Sequence, residues 1–464
     1  MTNKELLTKS IIAQITEEVE RYVDNVSEDV DSLDDTESKA REFAKNCGGI
    51  VFEAHIEACL RAQNKGHVGD KLELPCGGVA YFERYESRYV LTHLGKFRIE
   101  RAYYWDPSNN SGAIPLDEKW GLDEREPSPA LRKSIGMLSA EMPFVRGRKL
   151  MKQTALVDLP EKRLQESGEA LGSKINELHK SEVKRSLPML RDPNVGFPDV
   201  LPSAKQGTLY IQMDGGRINT TTDGWREPKV ATLYWGEDVA DISKDRRLIL
   251  KKEYVAVLGD ADELAERLWA AACRWEWWKA KRVVVLGDGA PWIWNRARDL
   301  FPEATLILDL YHAKEHIWDT ARHLYGGAGK QKDKGAGKSK KPSSKDHRTA
   351  EWAKARIAEL KAGDTDAIIN NLHRRRPKRK DAIESVESLI GYLEENRGRT
   401  NYAKYKAENL TVGSGNIESG IKNVVNQRMK GCGMRWAVDR AENMLNLRAA
   451  YLSDIGPGKD LLAA

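Results

Sequence analysis

The chain has 464 residues, 40% of them hydrophobic, enough for two to four domains and at least one sizeable core. Lysine and arginine number 75 against 70 aspartates and glutamates; a formal charge of +5 leaves any polyanionic partner to be recognised by local clusters rather than by the whole surface. Five cysteines without a Cys-x-x-Cys pair argue against a zinc ribbon and a secreted disulfide scaffold, and no apolar run reaches membrane-spanning length, so the expected setting is a reducing cytoplasm with no membrane partner.

Residues 1–66 read as a helical region. Its start, "MTNKELLTKSIIAQITEEVE", is acidic and amphipathic rather than a signal peptide, and "ESKAREFAKNCGGIVFEAHIEACLRAQ" keeps helical spacing around a Gly-Gly interruption. In 67–112 the period shortens: "VAYFERYESRYVLTHLGKFRIERAYYW" mixes aromatic and β-branched runs with charges around Gly95, the pattern of a small antiparallel sheet. Residues 113–205 return to helix. One helix, a break at Val157-Asp158-Leu159-Pro160 and a second helix carrying Lys162, Arg163 and Gln165 suit a helix-turn-helix in a DNA major groove, and equally an ordinary helical bundle. The proline-rich stretch that follows predicts a domain boundary near residue 205.

Three strand candidates come next, 208–218, 229–238 and 247–259, then a helix, "ADELAERLWAAACRWEWWKAK". A strand "RVVVLGDG", a helix from about Pro291 to Leu300 and a strand "ATLILDLYH" complete the series to 319. A three-strand meander followed by two crossovers describes a ribonuclease-H-like mixed sheet, an α+β fold in which the fourth strand lies beside the first. Residues 320–412 read as a helical insertion with a disordered basic loop near 326–348 and the basic run "HRRRPKRK", which includes Arg374, Arg375 and Arg376. The core resumes over 413–452, and 453–464 is a tail.

That topology brings Asp214, on the first strand, beside Asp288, which ends the fourth between two glycines. Glu418, at the start of a helix after a Gly-Ser-Gly turn, can be delivered back over the same edge. A dinucleotide site is excluded because Trp292 stands where Gly-x-Gly-x-x-Gly needs its third glycine. Three carboxylates around one point repel unless a cation shares them, and hard oxygen ligands suit Mg²⁺ or Mn²⁺. Two such ions activate a water or a 3′-hydroxyl against a phosphodiester, the chemistry of DNA cleavage and joining. Asp309 ends the fifth strand, and its roles remain open: a fourth acidic group, a residue orienting the ligands, or the partner of His312. Zinc on Asp309, His312 and His316 lacks a fourth ligand, and no structural zinc is expected.

Lys422, Gln427, Arg428 and Lys430 follow Glu418 and are candidates for DNA phosphate contact, although Lys422 also has the spacing of a helix pair with Glu418. Arg435 and Trp436 offer a stacking clamp for an unpaired base, or core packing.

The segments "MDGGR", "LGDGAPWIW", "LILDLYHAKEHIW" and "GSGNIESGIKNVVNQRMKGCGMRW" closely resemble bacterial insertion-sequence transposases of the DDE type, especially the ISKra family of the Mutator-like group. The resemblance runs from about residue 70 to 452. It implies Asp214, Asp288 and Glu418 as catalytic, metal-binding residues, Asp309 and His312 as the family's Asp-x-x-His signature, and two Mg²⁺ or Mn²⁺ ions. It further implies double-stranded DNA partners, the element's terminal inverted repeats and a target, together with a homodimer or higher oligomer working at the nucleoid. Many relatives carry a Cys-x-x-Cys after the Tyr-Tyr pair, which "YYWDPSNNSG" lacks. The alternatives are a structure-specific nuclease without joining activity and a domesticated transposase that only binds DNA.

Overall fold

A computed structural model describes residues 3–26, 32–75, 77–122, 127–192, 206–243, 246–326, 344–413 and 415–462. The expected disordered basic loop near 326–348 lies, apart from its ends, outside the described residues. The fold is mixed α+β, with several sheets and a larger share of helix. Among the described residues no helix is long and apolar enough to cross a membrane. The chain divides into two units, Met1–Leu171 with Leu461–Ala464, and Gly172–Asp460, so the division falls inside the helix Glu161–Arg191, earlier than the proline-rich stretch suggests.

In the first unit, helix Leu33–Ala62 starts at Ser32, whose hydroxyl accepts from the Asp35 N–H at 3.1 Å, and runs unbroken through Gly48-Gly49. The glycine pair is a contact surface, not an interruption: a Cβ on Gly49 would sit 3.2 Å from the Leu94 carbonyl oxygen. Leu94 lies in the turn between strands Val79–Thr92 and Gly95–Asp106, which pair antiparallel with Thr92 opposite Gly95. Gly95 adopts φ +143°, a region closed to most L-residues. Lys71–Glu73 and Ser111–Ala113 flank this pair in a four-stranded antiparallel sheet. Beyond it the single expected helix is two, Pro129–Glu141 and Phe144–Ala155. Pro143 lacks an amide donor and forces Met142 to extended backbone (φ −143°, ψ 161°), which ends the first. Lys162 and Arg163 open the next helix; Lys162 is exposed, within 3.9 Å of Glu166.

The second unit is built on a five-stranded sheet: β1 Gln206–Gly215, β2 Lys229–Trp235, β3 Glu253–Val257, β4 Ala280–Gly287 and β5 Thr305–Leu308, in the order β3-β2-β1-β4-β5. β2 runs antiparallel to both β1 and β3, while β1, β4 and β5 are parallel. Buried Val, Leu and Ile side chains fill these strands, and helix Ala261–Arg274 packs its Leu264, Leu268 and Ala271 face into the same core. The expected strand 247–259 is divided. Arg246–Ile249 pairs with Val239–Ser243 as a separate hairpin, and after exposed Leu250 and Lys251 the chain re-enters the sheet as β3. Helices Ser344–Ala362, Thr365–His373, Lys380–Glu395 and Tyr402–Ala407 make up the insertion. Tyr402 Oη donates to the Leu308 carbonyl at 2.9 Å and Tyr405 Oη to that of Leu306 at 3.4 Å, which docks the insertion on β5.

Residues 172–191 belong with this core because Trp269 Nε1 donates to the Ser186 carbonyl at 3.0 Å and Arg267 reaches Asn176 Oδ1 at 2.9 Å. His179 is buried among them, and burial, with the Arg267 and Arg274 charges, lowers its pKa from 6.5 to about 3. The folded state holds this ring neutral while the unfolded chain protonates it below 6.5. Its contribution is therefore intact above that pH and is lost as pH falls toward 3, at about 1.4 kcal/mol per pH unit. Denaturant unfolding of His179→Gln should show a correspondingly flatter acid limb than the parent between pH 6.5 and 5. Parallel limbs would remove His179 from the acid sensitivity.

Candidate active site

Three aspartates sit at the carboxyl ends of three adjacent parallel strands. Asp214 is the penultimate residue of β1, opposite Val230; Asp288 follows β4, and Asp309 follows β5. The geometry around Asp288 explains its two glycines. A Cβ on Gly287 would come 2.8 Å from Ile293 Cγ2, and Gly289, at φ +113°, would bring one 2.7 Å from Tyr392 Cε2. Tyr392, from the insertion, donates its hydroxyl to the Asp288 carbonyl at 2.7 Å and lays its ring against His316 at 4.2 Å.

Asp309 is fully buried and caps helix Leu310–Tyr325, its Oδ1 accepting from the N–H groups of Tyr311 and, at 3.2 Å, His312. Its Oδ2 faces His312 Nδ1 at 3.6 Å, an ion-pair separation too long for a hydrogen bond. This carboxylate, seconded by Asp288, outweighs burial and holds the imidazole protonated up to about 9. Glu418 arrives on helix Gly415–Gly420. That helix is anchored by Gln212, two residues before Asp214, whose fully buried amide accepts from the Ile417 N–H and donates to Tyr234 Oη, each at 3.0 Å. The helix then widens into a π-helical stretch, Ile421–Asn426.

Glu418, Asp309 and His312 each turn a ligand atom into one space, all within 4.8 Å of one another, and this is the metal-sized cluster found among the described residues. It differs from the cluster expected from sequence, Asp214, Asp288 and Glu418, in two of its three members. Asp214 and Asp288 lie beside it with their carboxylates turned onto backbone donors, Asp214 on Gly215 N–H at 2.7 Å and Asp288 on Ala290 N–H at 2.9 Å. The groups still form one electrostatic ensemble. Burial first, then the negative charges of Asp288 and Glu418, push the Asp214 carboxyl up to about 6, with Gly215 N–H and His312 pulling the other way. Two carboxylates and an imidazole, with two more carboxylates alongside, are a donor set that fits a divalent ion, provided that the ion displaces the His312 proton; the nitrogen donor then suits manganese better than magnesium.

The proposed DNA contacts separate by burial. Lys422, Lys430 and Arg435 are exposed. Arg428 is not a phosphate contact: it is 2% exposed, lies 5.2 Å from the Trp436 ring centre, and is lowered to about 10 by burial and the Arg448 charge. Trp436 is no clamp either; it is 8% exposed, its Nε1 donating to the Met429 carbonyl at 3.0 Å. In the basic run Arg374 and Arg376 are exposed, whereas Arg375 lies over the rings of Tyr325 and Trp352. Gln212 and Tyr392 were missed. The first had a signal, a lone amide within the apolar run "LYIQM"; the second, a tyrosine on an amphipathic helix, had none.

No family model matches the sequence. Over 324 residues it is 24% identical to a UPF0236 protein of Caldanaerobacter subterraneus subsp. tengcongensis, whose name joins eleven locus designations. The match covers 68% of this chain and 62% of that protein, less than two thirds of its length.

Proposed function

We propose that this chain is a DNA transposase of the DDE type with a ribonuclease-H-like core, cutting DNA at the ends of a mobile element and joining the freed 3′-hydroxyl to a target. The observation that carries the reading is Asp214, Asp288 and Asp309 at the carboxyl ends of three neighbouring parallel strands, with Glu418 held over the same edge through Gln212. The strand order β3-β2-β1-β4-β5, with only β2 reversed against β1, β4 and β5 in the central part, supports the ribonuclease-H-like assignment. Eleven loci under one protein name in a single genome are what a self-copying element leaves behind, which favours the same reading by analogy.

Asp309, His312 and Glu418, joined by Asp214 and Asp288, would hold the metal. Mg²⁺ or Mn²⁺ bound there supplies Lewis-acid stabilisation of phosphodiester oxygens and a more acidic water or hydroxyl. The protein's own part is to aim the carboxylates: Gln212 fixes the Glu418 helix, Tyr392 braces the Asp288 loop, and the Asp309 cap orients His312. The exposed Lys422, Lys430 and Arg435, which follow Glu418 in the chain, would provide phosphate contacts.

The deciding experiment incubates purified protein and Mg²⁺ or Mn²⁺ with DNA carrying the sequences on either side of its own coding region, together with a supercoiled target. End cleavage and joined products, both abolished by chelation, are expected. Cutting without joining would favour the nuclease alternative, and DNA binding without cutting the domesticated one.

A further inference from the structure

We infer that Trp225 forms a stacking site for an unpaired nucleobase at the DNA end; the inference rests on the transposase reading above. Of the chain's 13 tryptophans it alone is exposed, at 61%. It stands on a short hairpin, Ile218–Asn219 against Trp225–Arg226, that prolongs the β1–β2 pair past Asp214. Gly216 N–H donates to the Pro228 carbonyl at 2.8 Å along the way. Asn219, the partner of Trp225, is five residues beyond Asp214, at most roughly 17 Å along the strand.

The ring is presented on fixed backbone. Thr220 N–H donates to the Gly224 carbonyl at 2.7 Å and closes the hairpin. The chain around Trp436 adds a third rung, with Trp436 N–H on the Asn219 carbonyl at 3.1 Å and Thr221 N–H on that of Trp436 at 2.9 Å. Buried Trp436 therefore braces the hairpin while Trp225 offers its face to solvent. A large apolar surface kept outward on so constrained a backbone is preorganised for a partner.

The surrounding charge selects the partner's chemistry. Lys430 Nζ lies 5.8 Å from the Trp225 ring centre. Lys430, Arg217, Lys422 and Arg435 are all exposed, and none forms an ion pair among the described residues. The acidic groups of the hairpin are matched instead, Asp223 with Arg226 at 3.5 Å and Glu227 with Lys229 at 3.3 Å. An aromatic face with one lysine beside it, and further exposed cations on the segments that adjoin the hairpin, fits a base with its flanking phosphates. Bases inside a duplex hide both faces in the stack, so the occupant is a base already unpaired or drawn out at the end being processed.

The test measures binding of the full-length protein to two duplexes of one sequence, blunt or ending in a short unpaired flap, with 2-aminopurine in the flap as a stacking reporter. The parent protein should prefer the flapped duplex and quench the reporter. Trp225→Ala should weaken flapped binding by roughly ten- to a hundredfold, bring the two affinities together and abolish the quench, with Trp225→Tyr recovering part of each. A preference and quench that survive Trp225→Ala overturn the stacking site and leave the transposase reading standing. Failure of the parent protein to bind either duplex overturns both.

Discussion

Asp288→Ala is expected to lower DNA cleavage by roughly a thousandfold or more while leaving the fold and DNA binding in place. Metal-assisted charge stabilisation is worth several kcal/mol and each 1.36 kcal/mol is tenfold in rate, so losing a carboxylate from the ion's surroundings removes about three powers of ten. The fold should tolerate the change because Asp288 is only half-buried, its side chain accepts a backbone hydrogen bond from Ala290, and it adds to the repulsion felt by Asp214. End-cleavage rates beside circular-dichroism melts and duplex binding would separate these effects. Cutting at the parental rate would remove Asp288 from the reaction, and the transposase assignment with it.

Arg267→Ala should act on the other side of the sheet's chemistry, through stability. The guanidinium is 3% exposed and satisfies acceptors from three helices: Asn446 Oδ1 at 2.7 Å, Asn176 Oδ1 at 2.9 Å, Glu263 Oε1 at 2.6 Å and Glu442 Oε1 at 3.0 Å. Glu442 also accepts from the Leu258 N–H at 2.7 Å, so it cannot swing to solvent without giving up a second bond. Removing the cation leaves a partly buried carboxylate and two amides without their donor, a loss of about 3–5 kcal/mol. Urea unfolding followed by tryptophan fluorescence measures it; a loss below about 1 kcal/mol would mean that water replaces the guanidinium at these acceptors.

The three parallel strands of the central sheet were legible because apolar runs ending in Gly or Asp announce buried strands, and β4, "RVVVLG", does so without ambiguity; β3 is only the second half of the expected strand 247–259. The site was legible as a set of acidic residues and not as a geometry. Chain order put Asp214 and Asp288 on neighbouring strands, but nothing in it says that their carboxylates take backbone donors, or that Glu418 turns to Asp309 and His312. Arg428 and Lys430 are equally basic in sequence; one lies under Trp436 and the other in solvent, because positions two apart on a helix face nearly opposite sides and Lys430 caps the end of the helix, so which of the two is buried depends on where that helix packs. Trp436 and Trp225 are likewise alike in sequence, yet the first is 8% exposed and the second 61%. Solvent exposure is decided by the third rung of the hairpin, a contact between residues more than 200 positions apart.

The tyrosine hydroxyls on β5 have a consequence for solubility. β5 is an outermost strand, and such a strand bears carbonyls that can template pairing with another molecule. Tyr402 and Tyr405 occupy two of them, at alternate positions Leu308 and Leu306, from a segment nearly a hundred residues further along the chain. The insertion is thus a guard rail for the sheet, protecting against edge-to-edge aggregation at the strand that delivers Asp309.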